Sequence, residues 1–293
     1  MAGRDVKADD DTKVILIVGT DGLIGRRLAS ALTKRGYSVA GTTRRLTGIA
    51  SDRIHLDLSA TDDLDALPAC HVAYICAAAT SMEFCWKEPE ATRKINVTNT
   101  VRLARHLIAA NAKVIFLSSN TVFDGREPFA CAADPRCPHT EYGRQKADAE
   151  SQLLSLDGQV TVVRFSKILS PEFQLLQGWI NDMRAGRNIY PFFDSRISPI
   201  SLSFAIEVLR RVLELNGSGI IHASADSDVS YEQIARYMAQ CLGYEDQLIK
   251  PISFEQRGIE YLPANTTLDS SGLDGLGLMA PQAYSVLDEI ILS

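Results

Sequence analysis

The sequence predicts an α/β fold: a doubly wound parallel sheet followed by a smaller C-terminal lobe. Three features point there. Short apolar, β-branched runs alternate with amphipathic helical patterns as far as Phe165. A glycine-rich turn joins the first apolar run to the first helix. After Phe165 the alternation fades, and Pro171, Pro191, Pro199, Pro251 and Pro263 punctuate mixed segments.

The elements follow in order. Residues 1–12 are polar, with Asp9, Asp10 and Asp11 in a row, and read as a disordered tail. Lys13 to Val18 is a continuous apolar run of the kind buried on both faces of a sheet. A helix is expected from Gly22 to about Arg35, with Leu23, Ile24, Leu28 and Leu32 on its apolar face and Gly36 as its stop. Tyr37–Gly41, Arg53–Leu56 and His71–Cys76 read as the second, third and fourth strands. A helix from about Pro89 to Asn111 carries Ile95, Val97, Val101, Leu103 and Leu107. Lys113–Leu117 is a fifth strand, the helix bearing Tyr142 runs to about Leu154, and Val160–Arg164 is a sixth. A helix from about Leu202 to Asn216 and the run Gly219–Ala223 return to the sheet layer. The expected division is 13–165 for the sheet domain and 166–293 for the lobe, with 197–223 rejoining the sheet.

Composition narrows the classes of function. A chain of 293 residues, 46% hydrophobic and 23% charged, has enough material for a sizeable core. The net charge of -6 gives no basic footprint, so nucleic acid is not an expected partner. Local arginines can still meet an anionic small molecule. The six cysteines are scattered, Cys131 and Cys137 among them with five residues between. None shows zinc-ligand spacing, so no metal is expected. With no secretory signal before the first strand, they read as free thiols of a cytoplasmic protein. No apolar run is long enough for a membrane span.

Three clusters carry chemistry. Gly19-Thr-Asp21-Gly22-Leu23-Ile24-Gly25 follows the first strand and opens a helix. Gly19 suits a tight turn, Gly22 lets backbone approach a pyrophosphate, and Gly25 allows close helix packing. Gly41-Thr-Thr43-Arg44-Arg45 follows the second strand, where an Asp or Glu would meet a free ribose 2′-hydroxyl and an arginine a 2′-phosphate. NADP(H) is therefore preferred over NAD(H), which stays possible. Asp57, beside Leu58, stands where a carboxylate accepts from an adenine amino group; a turn or helix cap is an equal reading. Ser118, Ser119 and Asn120 end the fifth strand, on the side of a doubly wound sheet that faces ligand. Tyr142 and Lys146 stand four apart, on one helical face, where an ammonium would favour a phenolate.

Together these motifs resemble the extended short-chain dehydrogenase/reductase family. Ser118-Ser-Asn-Thr-Val-Phe-Asp-Gly, Arg196-Ile-Ser-Pro and Pro263-Ala-Asn-Thr-Thr-Leu-Asp-Ser are most similar to its dTDP-4-dehydrorhamnose reductase branch. The resemblance implies an NADP-binding Rossmann domain and a substrate lobe. It implies Tyr142 as general acid, Lys146 as the group that lowers its pKa and holds the nicotinamide ribose, and Ser119 as the carbonyl-orienting hydroxyl. Cys76, Ala77, Ala78 and Ala79 match the segment lining the cofactor, and Asn96 a recurrent asparagine of the neighbouring helix. Arg196 matches a position that often meets substrate phosphates, and Lys167 stands within reach of a pyrophosphate. The implied activity is reduction of a keto group on a nucleotide-linked deoxysugar, in a homodimer. A sugar-nucleotide epimerase would use the same triad, and the branch includes non-catalytic NADP-binding regulatory subunits. The chain departs from the pattern at Asn120, usually aspartate, at Lys167, often asparagine or tryptophan, and at Arg257, set apart from Pro263 by an insertion. Dehydratases tend to carry acids after the strand-five hydroxyl; Asn120 and Thr121 are not acidic, which disfavours dehydration.

Overall fold

The computed structural model describes residues 14–46, 53–60, 64–156, 158–259 and 261–292; the tail expected over 1–12 lies outside them. The first run comprises β1 (Ile15–Val18), α1 (Leu23–Lys34), β2 (Val39–Thr43), β3 (Arg53–His55) and β4 (Val72–Ile75). Short helices α2 (Met82–Lys87) and α3 (Pro89–Arg93) lead through a π-helical turn at Lys94–Asn99 into α4 (Thr100–Ala109). β5 (Lys113–Ser119), α5 (Glu141–Leu154) and β6 (Val160–Phe165) complete it. Then come β7 (Lys167–Leu169), α6 (Gln174–Arg184), β8 (Arg196–Ile197), β9 (Pro199–Ser201), α7 (Leu202–Glu214), β10 (Gly219–Ala223), β11 (Val229–Ser230), α8 (Tyr231–Leu242) and α9 (Ala283–Ile291).

Seven strands form one sheet in the order β3-β2-β1-β4-β5-β6-β10, with every pairing parallel. The sequence alternation required parallel strands, and this order is the doubly wound one with β10 added at an edge. β1 shows why both faces are apolar. Ile15 and Ile17 pack with Leu28 and Leu32 of α1 and Leu209 of α7. Leu16 and Val18 face the other way, towards Leu103 and Leu107 of α4 and Leu153 of α5. A third core joins Trp179 and Met183 of α6 to Ile234 and Met238 of α8 and Leu287 of α9.

Local boundaries differ from expectation in two places that bear on the site. β2 begins at Val39 and runs on to Thr43, because Val39 pairs with Ile15 and the threonines are tied into the turn after β1. The long helix expected from Pro89 to Asn111 is α3, a π-turn and α4, and it stops at Ala109, two residues before the left-handed Asn111 (φ 64°). Two of the three stretches similar to the reductase branch, those from Ser118 and from Pro263, run into segments that lie against each other. Asn265 N donates to Gly125 O at 2.9 Å, Asp269 N to Ala130 O at 3.0 Å, and Ala130 bridges to Leu268.

Candidate active site

The glycine turn lies at the carboxyl end of β1, beside β4, where the sheet reverses its strand order. Gly19 holds φ +92°, and a Cβ there would meet Ala77 at 2.9 Å. At Gly25 a Cβ would lie 2.3 Å from Gly19 O, so the protein's own packing requires both glycines. Gly22 is different: its Cβ would find only Gly19 O at 3.4 Å. It caps α1 with no side-chain hydrogen bond, leaving the first-turn amides of α1 directed outward. Leu23 is exposed and Ile24 half-buried above that turn. This cradle fits the pyrophosphate of a dinucleotide.

The end of β2 closes on the turn. Thr42 Oγ1 accepts from Gly19 N at 3.0 Å, and Thr20 Oγ1 donates to Thr42 O at 2.8 Å. Thr43 Oγ1 donates to Asp21, which also receives Arg53 Nη1 at 2.9 Å, while Arg45 Nε stands 3.9 Å away. Both threonine hydroxyls are therefore engaged by the chain. Arg44 and Arg45 are exposed. Asp57 accepts from Ser59 N at 2.8 Å, the turn role that sequence left open. Burial opposes its ionisation, but Ser59, Arg44 and His55 together hold its pKa below the ordinary value. Leu58 is buried in the core, and its carbonyl accepts from Asn99 Nδ2 at 2.8 Å.

Opposite lies the floor made by Cys76, Ala77, Ala78 and Ala79, all half-buried. Asn96, in the π-turn, clamps Ala79 at both backbone groups: its Oδ1 accepts from Ala79 N at 2.8 Å and its Nδ2 donates to Ala79 O at 2.9 Å. Its Nδ2 also donates to Gln145 Oε1 at 2.8 Å, and Gln145 Nε2 reaches Thr92 Oγ1 at 2.9 Å and Glu141 Oε1 at 3.0 Å. Gln145 is fully buried and, through Asn96, links the Tyr142 helix to Ala79. A lone glutamine inside a helix carries no local signal of such a role.

Two contacts seat α5 along β5. Thr140 caps the helix, its Oγ1 accepting from Gly143 N at 3.1 Å. A Cβ on Gly143 would lie 2.1 Å from Thr121 O, so only glycine lets the helix approach the turn after β5. One helical turn on, Lys146 Nζ donates to Leu117 O at 2.8 Å and lies 4.4 Å from the Phe116 ring centroid. Ser119 stands between these anchor points; its Oγ donates to Asn120 Oδ1 and accepts from Thr121 N, both at 3.2 Å. Ser118 Oγ and Thr121 Oγ1 are buried with no hydrogen-bond partner among the described residues.

The electrostatics of the pair differ from expectation. Burial pushes the Tyr142 phenol well above its ordinary value, and Cys85 adds to the rise. Burial likewise draws the Lys146 ammonium down to about 8, against the raising influence of Glu150, Cys76 and Cys85. The ammonium stands 5.9 Å from the Tyr142 ring centroid, engaged with β5, and its charge does not offset the desolvation of the phenol.

Two expected substrate residues lie on strands outside the seven-stranded sheet. Lys167 opens β7, with its Nζ 4.9 Å from the Phe173 ring at the head of α6 and its pKa lowered by burial. Arg196 is exposed on β8, which pairs with β11. A cavity of about 550 Å³ that sequence did not reveal is lined by Leu175, Trp179, Tyr190, Phe192, Tyr231 and Arg257. The Arg257 guanidinium lies 5.5 Å from the Tyr190 ring centroid. All six cysteines are free thiols, and no helix among the described residues is long and apolar enough to cross a membrane.

A family model described as the RmlD substrate binding domain matches residues 12–289. The chain belongs to this family. Methionine adenosyltransferase 2 subunit beta of Rattus norvegicus is 24% identical over 277 residues, 90% of this chain and 82% of the relative. A crystal structure of dTDP-4-dehydrorhamnose reductase from Bacillus anthracis in complex with NADP superposes with a TM-score of 0.84 at 19% identity, covering 96% of this chain and 99% of that one. MoeE5 in complex with UDP-glucuronic acid and NAD gives 0.79 at 22% identity, with 95% and 97% covered. The RmlD family and these folds bear out the resemblance drawn from the motifs, and the neighbours are NAD(P)-binding enzymes of the same architecture.

Proposed function

We propose that this RmlD-family protein is an NADP(H)-dependent oxidoreductase that reduces a keto group on a nucleotide-linked deoxysugar. The observation that carries the reading is the seating of α5 on β5, which brings Ser119, Tyr142 and Lys146 to the carboxyl end of the sheet beside the glycine cradle. In this reading residues 13–165 hold the dinucleotide and the lobe from 166 onward holds the sugar nucleotide, apart from 197–223, which complete the sheet layer. Gly22 and the first turn of α1 receive the pyrophosphate, Arg44 and Arg45 the 2′-phosphate, and Ala77–Ala79 the nicotinamide side. The aromatic cavity beside Arg257 suits a stacked base, and Lys167 and Arg196 suit diphosphate charge.

The bound dinucleotide supplies the hydride. The chain supplies the proton and its control. Burial keeps the Tyr142 phenol protonated at neutral pH, so it is ready to donate to the carbonyl oxygen as charge develops there. Ser119 Oγ turns from Asn120 to that oxygen and fixes its direction. The Lys146 ammonium stabilises the phenolate left behind. Tyr142→Phe should abolish oxidation of NADPH by 4-keto sugar nucleotides while leaving the NADPH Kd within about threefold. Retained turnover would falsify the mechanism. Product formation without net NADPH consumption would favour an epimerase.

A second reading rests on the relatives named methionine adenosyltransferase 2 subunit beta. The protein would then be a nucleotide-binding subunit of another enzyme. Absence of turnover across a sugar-nucleotide panel, together with a stable complex with a methionine adenosyltransferase, would favour it.

A further inference from the structure

The glycine turn carries a carboxylate in an unusual position. Asp21 sits between Gly19 and Gly22, yet its side chain reaches across to the end of β2 and the start of β3. There it accepts from Thr43 Oγ1 and from Arg53 Nη1 at 2.9 Å, with Arg45 Nε at 3.9 Å. Thr43 Oγ1 in turn accepts from Arg45 N at 3.1 Å. In a doubly wound fold the end of the second strand is where the adenosine ribose is read: by a carboxylate when its 2′-hydroxyl is free, by arginine when it carries phosphate. This chain has no acid on β2 itself. It delivers one from the turn and aims it at the arginines.

We propose that Asp21 is a specificity-determining residue for the dinucleotide, acting as an internal competitor for Arg53 and Arg45. A 2′-phosphate must share or displace the carboxylate to reach these guanidinium groups, and it meets the repulsion of a like charge while doing so. A free 2′-hydroxyl meets an acceptor already in place, held by Thr43. The side chains of Asp21 and Arg53 are 22% and 37% exposed, so the competition takes place at a partly desolvated rim where charge still counts. Arg53 thereby joins the cofactor-reading set, although it lies on the third strand, 32 residues from its partner. The proposal deepens the dinucleotide reading above and rests on it.

The test is direct titration of NADPH and NADH by fluorescence on the full-length protein. It uses the wild type, Asp21→Asn, Arg53→Gln and the double variant. Asparagine keeps an acceptor for Thr43 and removes the charge. Asp21→Asn should tighten NADPH roughly tenfold, the scale of one charge-assisted contact, and leave NADH unchanged or slightly weaker. Arg53→Gln should weaken NADPH by a similar factor with little effect on NADH. In the double variant the gain from removing Asp21 should largely disappear, because its main competitor site is gone. An unchanged NADPH-to-NADH ratio in Asp21→Asn, with thermal stability preserved, overturns the proposal while leaving the cofactor reading intact. Wild-type protein that binds neither nucleotide overturns both.

Discussion

His222 should make the fold lose stability between pH 6.5 and 4, and the loss can be assigned to this one ring. It lies on β10 and is 2% exposed, with Nε2 at 3.1 Å from Arg164 Nη1 and Nδ1 at 3.1 Å from Asp269 O. Nδ1 donating to the carbonyl leaves Nε2 to accept from the guanidinium, so the neutral ring satisfies both neighbours. A second proton would face the Arg164 charge. Burial first, then Arg164, draw the pKa from 6.5 down to about 4, against the opposing Asp269 carbonyl and Glu150. Across that interval the unfolded chain holds more protons than the folded one. Stability therefore rises with pH through the window and is lost as pH falls from 6.5 towards 4. The full effect is roughly 3 kcal/mol, of which about 2 kcal/mol is gone by pH 5. Asp57, Glu207 and Asp269, whose pKa values are lowered, give up their contributions only further into acid. Urea unfolding at pH 7 and pH 5, followed by the fluorescence of buried Trp179, measures the loss. His222→Gln keeps a donor and an acceptor but does not titrate. The wild type should lose about 2 kcal/mol more than the variant between the two pH values. Equal losses would refute the assignment.

Two further outcomes test how α5 is held. Gly143→Ala puts a methyl 2.1 Å from the Thr121 carbonyl, a backbone atom that cannot swing away. It should cost about 1–3 kcal/mol in thermal or urea unfolding and cut turnover at least tenfold by lifting Tyr142 off β5. Gln145→Leu strips the buried amide that joins Asn96, Thr92 and Glu141, for roughly 1–3 kcal/mol. It should also weaken NADPH binding, because the clamp on Ala79 loses its support. A variant as stable and as tight-binding as wild type would show that the network is idle.

The buried ion network illustrates what pattern cannot supply. Arg164 reads as the polar end of a strand and Glu150 as a helix residue four beyond Lys146. In the fold, Arg164 Nη2 meets Glu150 Oε2 at 2.6 Å, with both side chains essentially inaccessible. The pair fastens the Tyr142 helix to β6, and its desolvation makes the loss of either partner alone expensive. Gln145, Asp21 and the aromatic cavity are of the same kind. Asp21 meets Arg53 32 residues away, Gln145 meets Asn96 49 residues away, and the cavity joins Tyr190 to Arg257, all beyond the reach of periodicity or turn chemistry.

The sequence alone determined what local physics governs. Continuous apolar strands demanded burial on both faces and hence a parallel sheet. A glycine triplet after the first strand demanded a tight turn into a helix. Four-residue spacing put Tyr142 and Lys146 on one helical face. The tertiary structure decided what those groups meet. It placed α5 against β5 through Gly143, buried the phenol and the ammonium so that desolvation governs both, and set Asp21 against Arg53. Charge and burial act through space, and only the folded chain brings such separated residues within the few ångströms where those forces are strong.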